Sequence, residues 1–169
     1  MDSNNINKAT FITAGQSDIP EISLLAASLW PAVYADILST GQIKYMMDMM
    51  YSEKVISAEM VRGIKWYLIK YGQNNIGYTS LIFIQDCCKL DKLYISRSFR
   101  GRGIGRKTME FIKAEASAAG AKKLILNVNK YNIAAQKAYQ KFGFRHVRDE
   151  VNDIGNNYVM DDFVLQLDI

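Results

Sequence analysis

Proline, cysteine and histidine are scarce in this sequence, at two, two and one of 169 residues. With so few prolines and no low-complexity stretch, no internal linker is expected, and residues 1–169 read as one domain in which only residues 1–9 are flexible. A chain of this length buries a core large enough to fold alone. The cysteines are adjacent, Cys87-Cys88. Neighbours on a strand point to opposite faces, which argues against an intrachain disulfide and for a reduced, cytoplasmic setting. Two cysteines and one histidine without ligand spacing predict no metal site. No apolar run reaches the roughly 18 residues of a membrane span, so no membrane partner is expected. The opening Met1-Asp2-Ser3-Asn4-Asn5 is too polar for a signal peptide, and Asp2 replaces the glycine that myristoylation requires.

Basic residues are missing from 149–169, which hold six Asp+Glu and no Lys or Arg. Residues 89–148 are the reverse, with 15 Lys+Arg against 3 Asp+Glu, while residues 1–88 carry 6 against 8. A basic middle between acidic ends suits either nucleic acid or a polyanionic cofactor that faces a cationic substrate. Nucleic-acid modules usually interleave aromatics with their basic residues. Here the cluster flanks glycines, so the cofactor is favoured and no nucleic-acid partner is expected.

Those glycines lie in Arg100-Gly101-Arg102-Gly103-Ile104-Gly105-Arg106, between a strand-like run ending at Ile95 and a helix carrying Met109, Phe111 and Ile112. Strand, glycine loop and helix N-terminus together make an anion site. The first helical N–H groups lack intrahelical partners, and the helix dipole favours negative charge there. Glycines let the ligand approach bare backbone, and Arg100, Arg102 and Arg106 add charge-assisted contacts. The loop reads G-x-G-x-G and so misses the dinucleotide fingerprint G-x-G-x-x-G. Arg106 before Lys107-Thr108 also breaks the phosphate-loop pattern, which needs glycine there.

The pattern R-x-x-G-x-G resembles the acetyl-CoA pyrophosphate loop of the GNAT family of N-acetyltransferases. About thirty residues on, Asn132…Ala135…Tyr139-Gln140-Lys141-Phe142-Gly143-Phe144 resembles that family's N-x-x-A-x-x-x-Y-x-K-x-G-F signature at every marked position. The resemblance covers residues 88–146 as an acetyl-CoA-binding core. It implies acetyl transfer from acetyl-CoA to an amine by direct attack. On matching positions, backbone groups of Leu93, Tyr94 and Ile95 would hold pantetheine and polarise the thioester carbonyl. Residues 100–106 (Arg100, Gly101, Arg102, Gly103, Ile104, Gly105 and Arg106) would hold the pyrophosphate. Asn132 would reach the pantetheine arm or cap its own helix. Tyr139 would contact the cofactor and act as acid to the departing thiolate, since a phenol near pKa 10 and a thiol near 8.5 lie close enough for proton transfer. Asn127 stands where, by the resemblance, some relatives carry a glutamate base, so the base is open among Asp36, Asp91, a terminal carboxylate, His146 and an ordered water. A non-catalytic acyl-CoA-binding or sensing module is the alternative reading.

The rest of the chain reads as an α/β (α+β layered) domain of this family, with about seven mostly antiparallel strands flanked by helices. A helix with Ile22, Leu25, Ala26, Leu29 and Val33 on one face is predicted to kink or break at Trp30-Pro31. Thr40 begins another, with Ile43, Met46, Met47 and Met50 on one side and Tyr45 and Met49 on the other. That second face suits a substrate groove or a homodimer contact. Residues 17–62 are therefore assigned to the substrate side, with Trp30, Tyr34, Asp36 and Tyr45 as candidate contacts. The segment from Trp30 to Ser52 also resembles, more loosely, bacterial spermidine/spermine-type acetyltransferases. The acceptor implied is a small cationic or protein amine.

Overall fold

Period-2 apolar patterns in the strands and 3.6-residue patterns in the helices build one seven-stranded sheet with helices on both faces. The computed structural model describes residues 9–169. In chain order the elements are β1 (Ala9–Thr13), α1 (Ile19–Tyr34), α2 (Thr40–Tyr51), α3 (Glu53–Val61), β2 (Lys65–Tyr71), β3 (Asn74–Ile84) and β4 (Cys87–Ile95). Then follow α4 (Ile104–Ala118), β5 (Lys123–Asn129), α5 (Ile133–Phe142), β6 (Arg145–Gly155) and β7 (Tyr158–Asp168). The expected flexibility of residues 1–8 lies outside the described residues, whereas Ala9 is a buried strand residue. Among the described residues no helix is long and apolar enough to cross a membrane.

The strand order is β1-β2-β3-β4-β5-β7-β6. Every pairing is antiparallel except β4 with β5. On one face Ile112 and Ala116 of α4 pack with Leu124, Leu126 and Leu165. On the other, Ile22, Ala26 and Trp30 of α1 join Met46, Ile56, Trp66 and Tyr78.

Two local features depart from simple patterning. Of the kink or break predicted at Trp30-Pro31, the break does not occur: α1 runs on through Pro31 to Tyr34. A proline inside a helix costs roughly 3 kcal/mol. Here it stands in the last turn, between two anchors: Trp30 and Tyr34 are both buried, with rings 4.3 Å apart. Burial of these two aromatics offsets the lost hydrogen bond.

The second feature is in β4. Ser80 pairs with Lys92 and Leu81 with Leu90, so Asp91 is an extra, bulged residue. Cys88 and Leu90 face the α4 side. Past the bulge, Lys92 faces the other way. Its ammonium is buried against Glu59 (3.4 Å) and Asp91 and lies 5.0 Å from the Trp66 ring centre. The bulge thereby aims Leu93 at the α4/α5 side and Tyr94 at α1–α3.

Gly77 of β3 keeps that strand in place. A Cβ there would stand 2.2 Å from the Tyr94 carbonyl oxygen, which is backbone and cannot rotate away. Gly77→Ala should therefore destabilise the fold by about 1–3 kcal/mol. Urea denaturation checks this, and an unchanged midpoint would contradict the close approach.

Candidate active site

The site begins where the sheet opens. β4 and β5 share register at only three pairs, Cys87–Lys123, Cys88–Leu124 and Lys89–Ile125. Beyond them β4 continues to Ile95 and β5 to Asn129, and no further pairing joins the two. Two connected hollows occupy the gap. A cleft of about 950 Å³ is lined by Leu93, Tyr94 and Ile95, the glycine loop, and the α4 and α5 walls. A small hollow of about 60 Å³ joins Leu93 and Tyr139 to Tyr34, Asp91 and Asn127. Leu93, Tyr94, Asn132, Ala135 and Tyr139 line both.

The glycine loop behaves as its composition predicts. Gly101 and Gly103 have φ of +74° and +75°, in the left-handed region that glycine alone adopts cheaply. Gly103 is the N-cap of α4, whose first hydrogen bond runs from the Lys107 N–H to the Gly103 carbonyl. The amides of Ile104, Gly105 and Arg106 consequently have no intrahelical acceptor. Ile104 itself is 1% exposed and anchors the loop in a core of Ala9, Ile69 and Ile76, leaving its backbone to the cleft.

The arginines divide. Arg100 and Arg106 line the cleft, whereas Arg102 lies 5.5 Å over the Phe99 ring and lines neither hollow. Arg100 donates to the Ile95 carbonyl, and burial together with Arg97 lowers its pKa from the usual guanidinium value. Arg106 is ion-paired with Glu110 at 3.0 Å, on an exposed face from which it can turn. Lys113 and Lys141 also line the cleft, and the sequence reading did not assign them. Their signal was the excess of basic residues in 89–148. The cleft's length, free amides, glycines and cations fit an extended, phosphate-bearing cofactor.

α5 supplies the other wall. Asn132 caps it, its Oδ1 accepting from the Ala135 N–H (3.3 Å), and Gly143 ends it at φ +113°. Ala134, Ala135 and Ala138 present a small-residue face to the cleft. Tyr139 packs edge-on against Phe144 at 5.6 Å. Burial, and secondarily Tyr34, raise its pKa above the usual phenol value. Outright transfer to a thiolate is thus less favourable than ordinary values suggest, and Tyr139 stays a protonated donor.

Of the four assigned substrate contacts, only Tyr34 reaches the site. Its hydroxyl lies 3.3 Å from that of Tyr94. Burial raises its pKa first, with Asp162 reinforcing the shift and Tyr94 and Asn132 opposing it. Trp30 is 1% exposed, wedged between Tyr34 and Tyr51 in the core. Asp36 is in solvent. Tyr45 donates to the Ile154 carbonyl (2.7 Å) and stacks near Tyr158, so it fastens α2 to the β6–β7 hairpin. Neither hollow is lined by these three.

One acidic residue went unassigned individually. Asp162 of β7 is 7% exposed, and burial followed by the Glu150 charge pushes its carboxyl up to about 6. Its only sequence signal was membership of the acidic C-terminal segment.

A glycine-rich, basic loop beside a sheet opened between two parallel strands, with a phenol at the junction, is a site suited to an acyl-coenzyme A-dependent transferase. Comparison with known proteins is specific: residues 30–144 match the "Acetyltransferase (GNAT) family", and the chain belongs to that family. It is 27% identical over 150 residues to an uncharacterised N-acetyltransferase of Mycobacterium tuberculosis, covering 85% of this chain and 96% of the relative. A peptidyl-lysine N-acetyltransferase of Salmonella typhimurium is 40% identical over 70 residues, 41% of this chain and 45% of that protein. The fold resembles a PaiA N-acetyltransferase from Thermoplasma acidophilum solved with coenzyme A. The TM-score is 0.80 at 21% identity, over 95% of this chain and 99% of the other.

Proposed function

We propose that this N-acetyltransferase moves the acetyl group of acetyl-CoA onto the primary amine of a cationic acceptor, polyamine-like or a lysine-like protein amine. The observation that carries this reading is the two-sided opening between β4 and β5. Its cleft side is glycine-rich and basic, whereas the small hollow is lined by Asp91 and Asn127, with Glu150 and Asp162 next to Asn127. The relative that acts on peptidyl-lysine also takes an amine that is cationic at neutral pH. The small hollow linking the two sides favours transfer over mere acyl-CoA sensing.

Acetyl-CoA supplies an acetyl thioester when bound. The free amides of Ile104, Gly105 and Arg106, with Arg100, Lys113 and Lys141, would hold its phosphates. The backbone of Leu93–Ile95 on the edge that β5 leaves unpaired would hold pantetheine and orient the thioester carbonyl, where one well-placed N–H is worth roughly 10²–10³ in rate. Tyr139 donates a hydrogen bond toward the sulfur side of the junction. Tyr34 and Tyr94 keep water from the hollow and shape the acceptor's approach.

Release of coenzyme A thiol is the test, measured across polyamines, lysine peptides, neutral amines and acidic amino acids. Cationic acceptors should give the highest kcat/KM, falling as salt rises. Preference for acidic acceptors, or no salt effect on the cationic ones, would contradict the reading.

A further inference from the structure

Asn127 of β5 cannot accept a proton, and the structure places a buried carboxylate beside it on another strand. Asp162 pairs in register with Asn129 of β5 on one side and Glu150 of β6 on the other. Partners directly opposite share a face, so Asp162, Asn127 and Glu150 all project toward α1 and α2, as does Met160 two residues before Asp162. Asp162 itself lines neither hollow, but its neighbours Tyr34 and Asn127, whose amide opposes the rise in its pKa, line the small one. The Asn127 amide donates to Glu150 Oε1 at 2.9 Å, and Arg148 and Asn152 also hold Glu150. Asp162 is left differently: its Oδ1 is buried with no hydrogen-bond partner. A buried carboxylate oxygen without a donor is costly to the fold. A proton donor that reached it past Asn127 and Tyr34 would relieve that cost.

The other carboxylates and the histidine are otherwise engaged. Asp36 is in solvent, Asp91 is committed to the buried Lys92, and His146 is held on Asp149 at 2.8 Å on the outer strand.

We infer that Asp162 is the catalytic base: it takes a proton from the acceptor ammonium at the hollow, with Asn127 and Tyr34 setting its approach. This rests on the transferase reading above. The amine, now neutral, uses its lone pair to form the C–N bond to the acetyl carbon as the C–S bond breaks. A second nitrogen proton reaches sulfur through Tyr139, which passes on its own proton and regains one. The products are the amide, the thiol and protonated Asp162, which returns its proton to water. Because Tyr139 ends as it began, its raised pKa does not oppose the sequence.

The charged and titratable groups around Asp162 are Glu150 and Asp161, which raise its pKa, Lys89, which lowers it, and the Tyr34 hydroxyl. Above about 6 the carboxylate is free to accept a proton, and below it the base is lost. Wild type should therefore show a kcat/KM that falls on acidification through that range. Asp162→Asn should lose roughly 10²–10⁴ in kcat/KM, the range for a positioned base. It should also lose that acid limb. Carbon-detected NMR titration of the Asp162 carboxyl should place its midpoint near 6, independently of turnover.

Coenzyme A affinity and the thermal midpoint of Asp162→Asn should be retained, because the substitution removes a buried charge without changing size. An active variant with the acid limb intact, an ordinary carboxylate titration, or parallel loss of coenzyme A affinity would each overturn the assignment. A wild type that releases no thiol with any amine would overturn the transferase reading and this one with it.

Discussion

Tyr139→Phe should lower kcat by roughly 10²–10⁴ while leaving acetyl-CoA affinity nearly unchanged. Each decade is about 1.4 kcal/mol of barrier, so a single hydroxyl is assigned roughly 3–5 kcal/mol. The separation of effects follows from geometry. Phenylalanine keeps the ring that packs on Phe144 at 5.6 Å, so the α5 wall stays intact. What disappears is the one phenol that lines both hollows on the α5 side. Its raised pKa keeps it protonated at every working pH, so the loss should be the same at pH 7 and pH 9. Single-turnover kinetics isolates the chemical step. An unchanged rate there would return Tyr139 to a packing role.

Gly103→Glu should weaken acetyl-CoA binding by roughly 10²–10³ without unfolding the chain. Two unlike charges at a few ångströms attract by about 4 kcal/mol at a protein surface, and two like charges repel by as much. The variant sets a carboxylate against the pyrophosphate where the free amides of Ile104, Gly105 and Arg106 begin. Left-handed backbone costs a non-glycine residue about 1–2 kcal/mol. An acidic group at a helix N-terminus returns part of that. Gly103→Ala carries the strain without the charge and should keep most of the affinity. Calorimetry on both variants, with melting shifts on adding coenzyme A, separates charge from strain; undiminished affinity in a folded Gly103→Glu would remove the loop from the site.

Local chemistry carried much of this fold into the sequence. Gly101, Gly103 and the basic cluster announced the left-handed turns and the charge of the loop, because both are set by neighbours in the chain. Asn132 and Gly143 bracketed α5 for the same reason. Other features depend on distant contacts. Pro31 stays helical beside Trp30 and Tyr34, which are buried against elements far along the chain. The bulge at Asp91 reverses which side chains face α4, and plain alternation gives no sign of it. Tyr45 looked like a groove residue until the hairpin that receives its hydroxyl was in view. Asp162 was one acid among six in its segment, and only the register of β5, β7 and β6 singles it out.

The open seam between β4 and β5 ties the protein's persistence to metabolism. A sheet that parts near its middle forgoes ladder hydrogen bonds there, and a coenzyme bound in the cleft would bridge that gap. A ligand that binds only the folded chain adds about 2.7 kcal/mol at a hundredfold excess over Kd. The melting shifts measured for the Gly103 variants read this same coupling. By that linkage, plentiful acetyl-CoA and coenzyme A would brace the chain, and scarcity would leave it open more often to proteases. Supply of the acetyl donor would then set how many copies survive as well as how fast each one turns over.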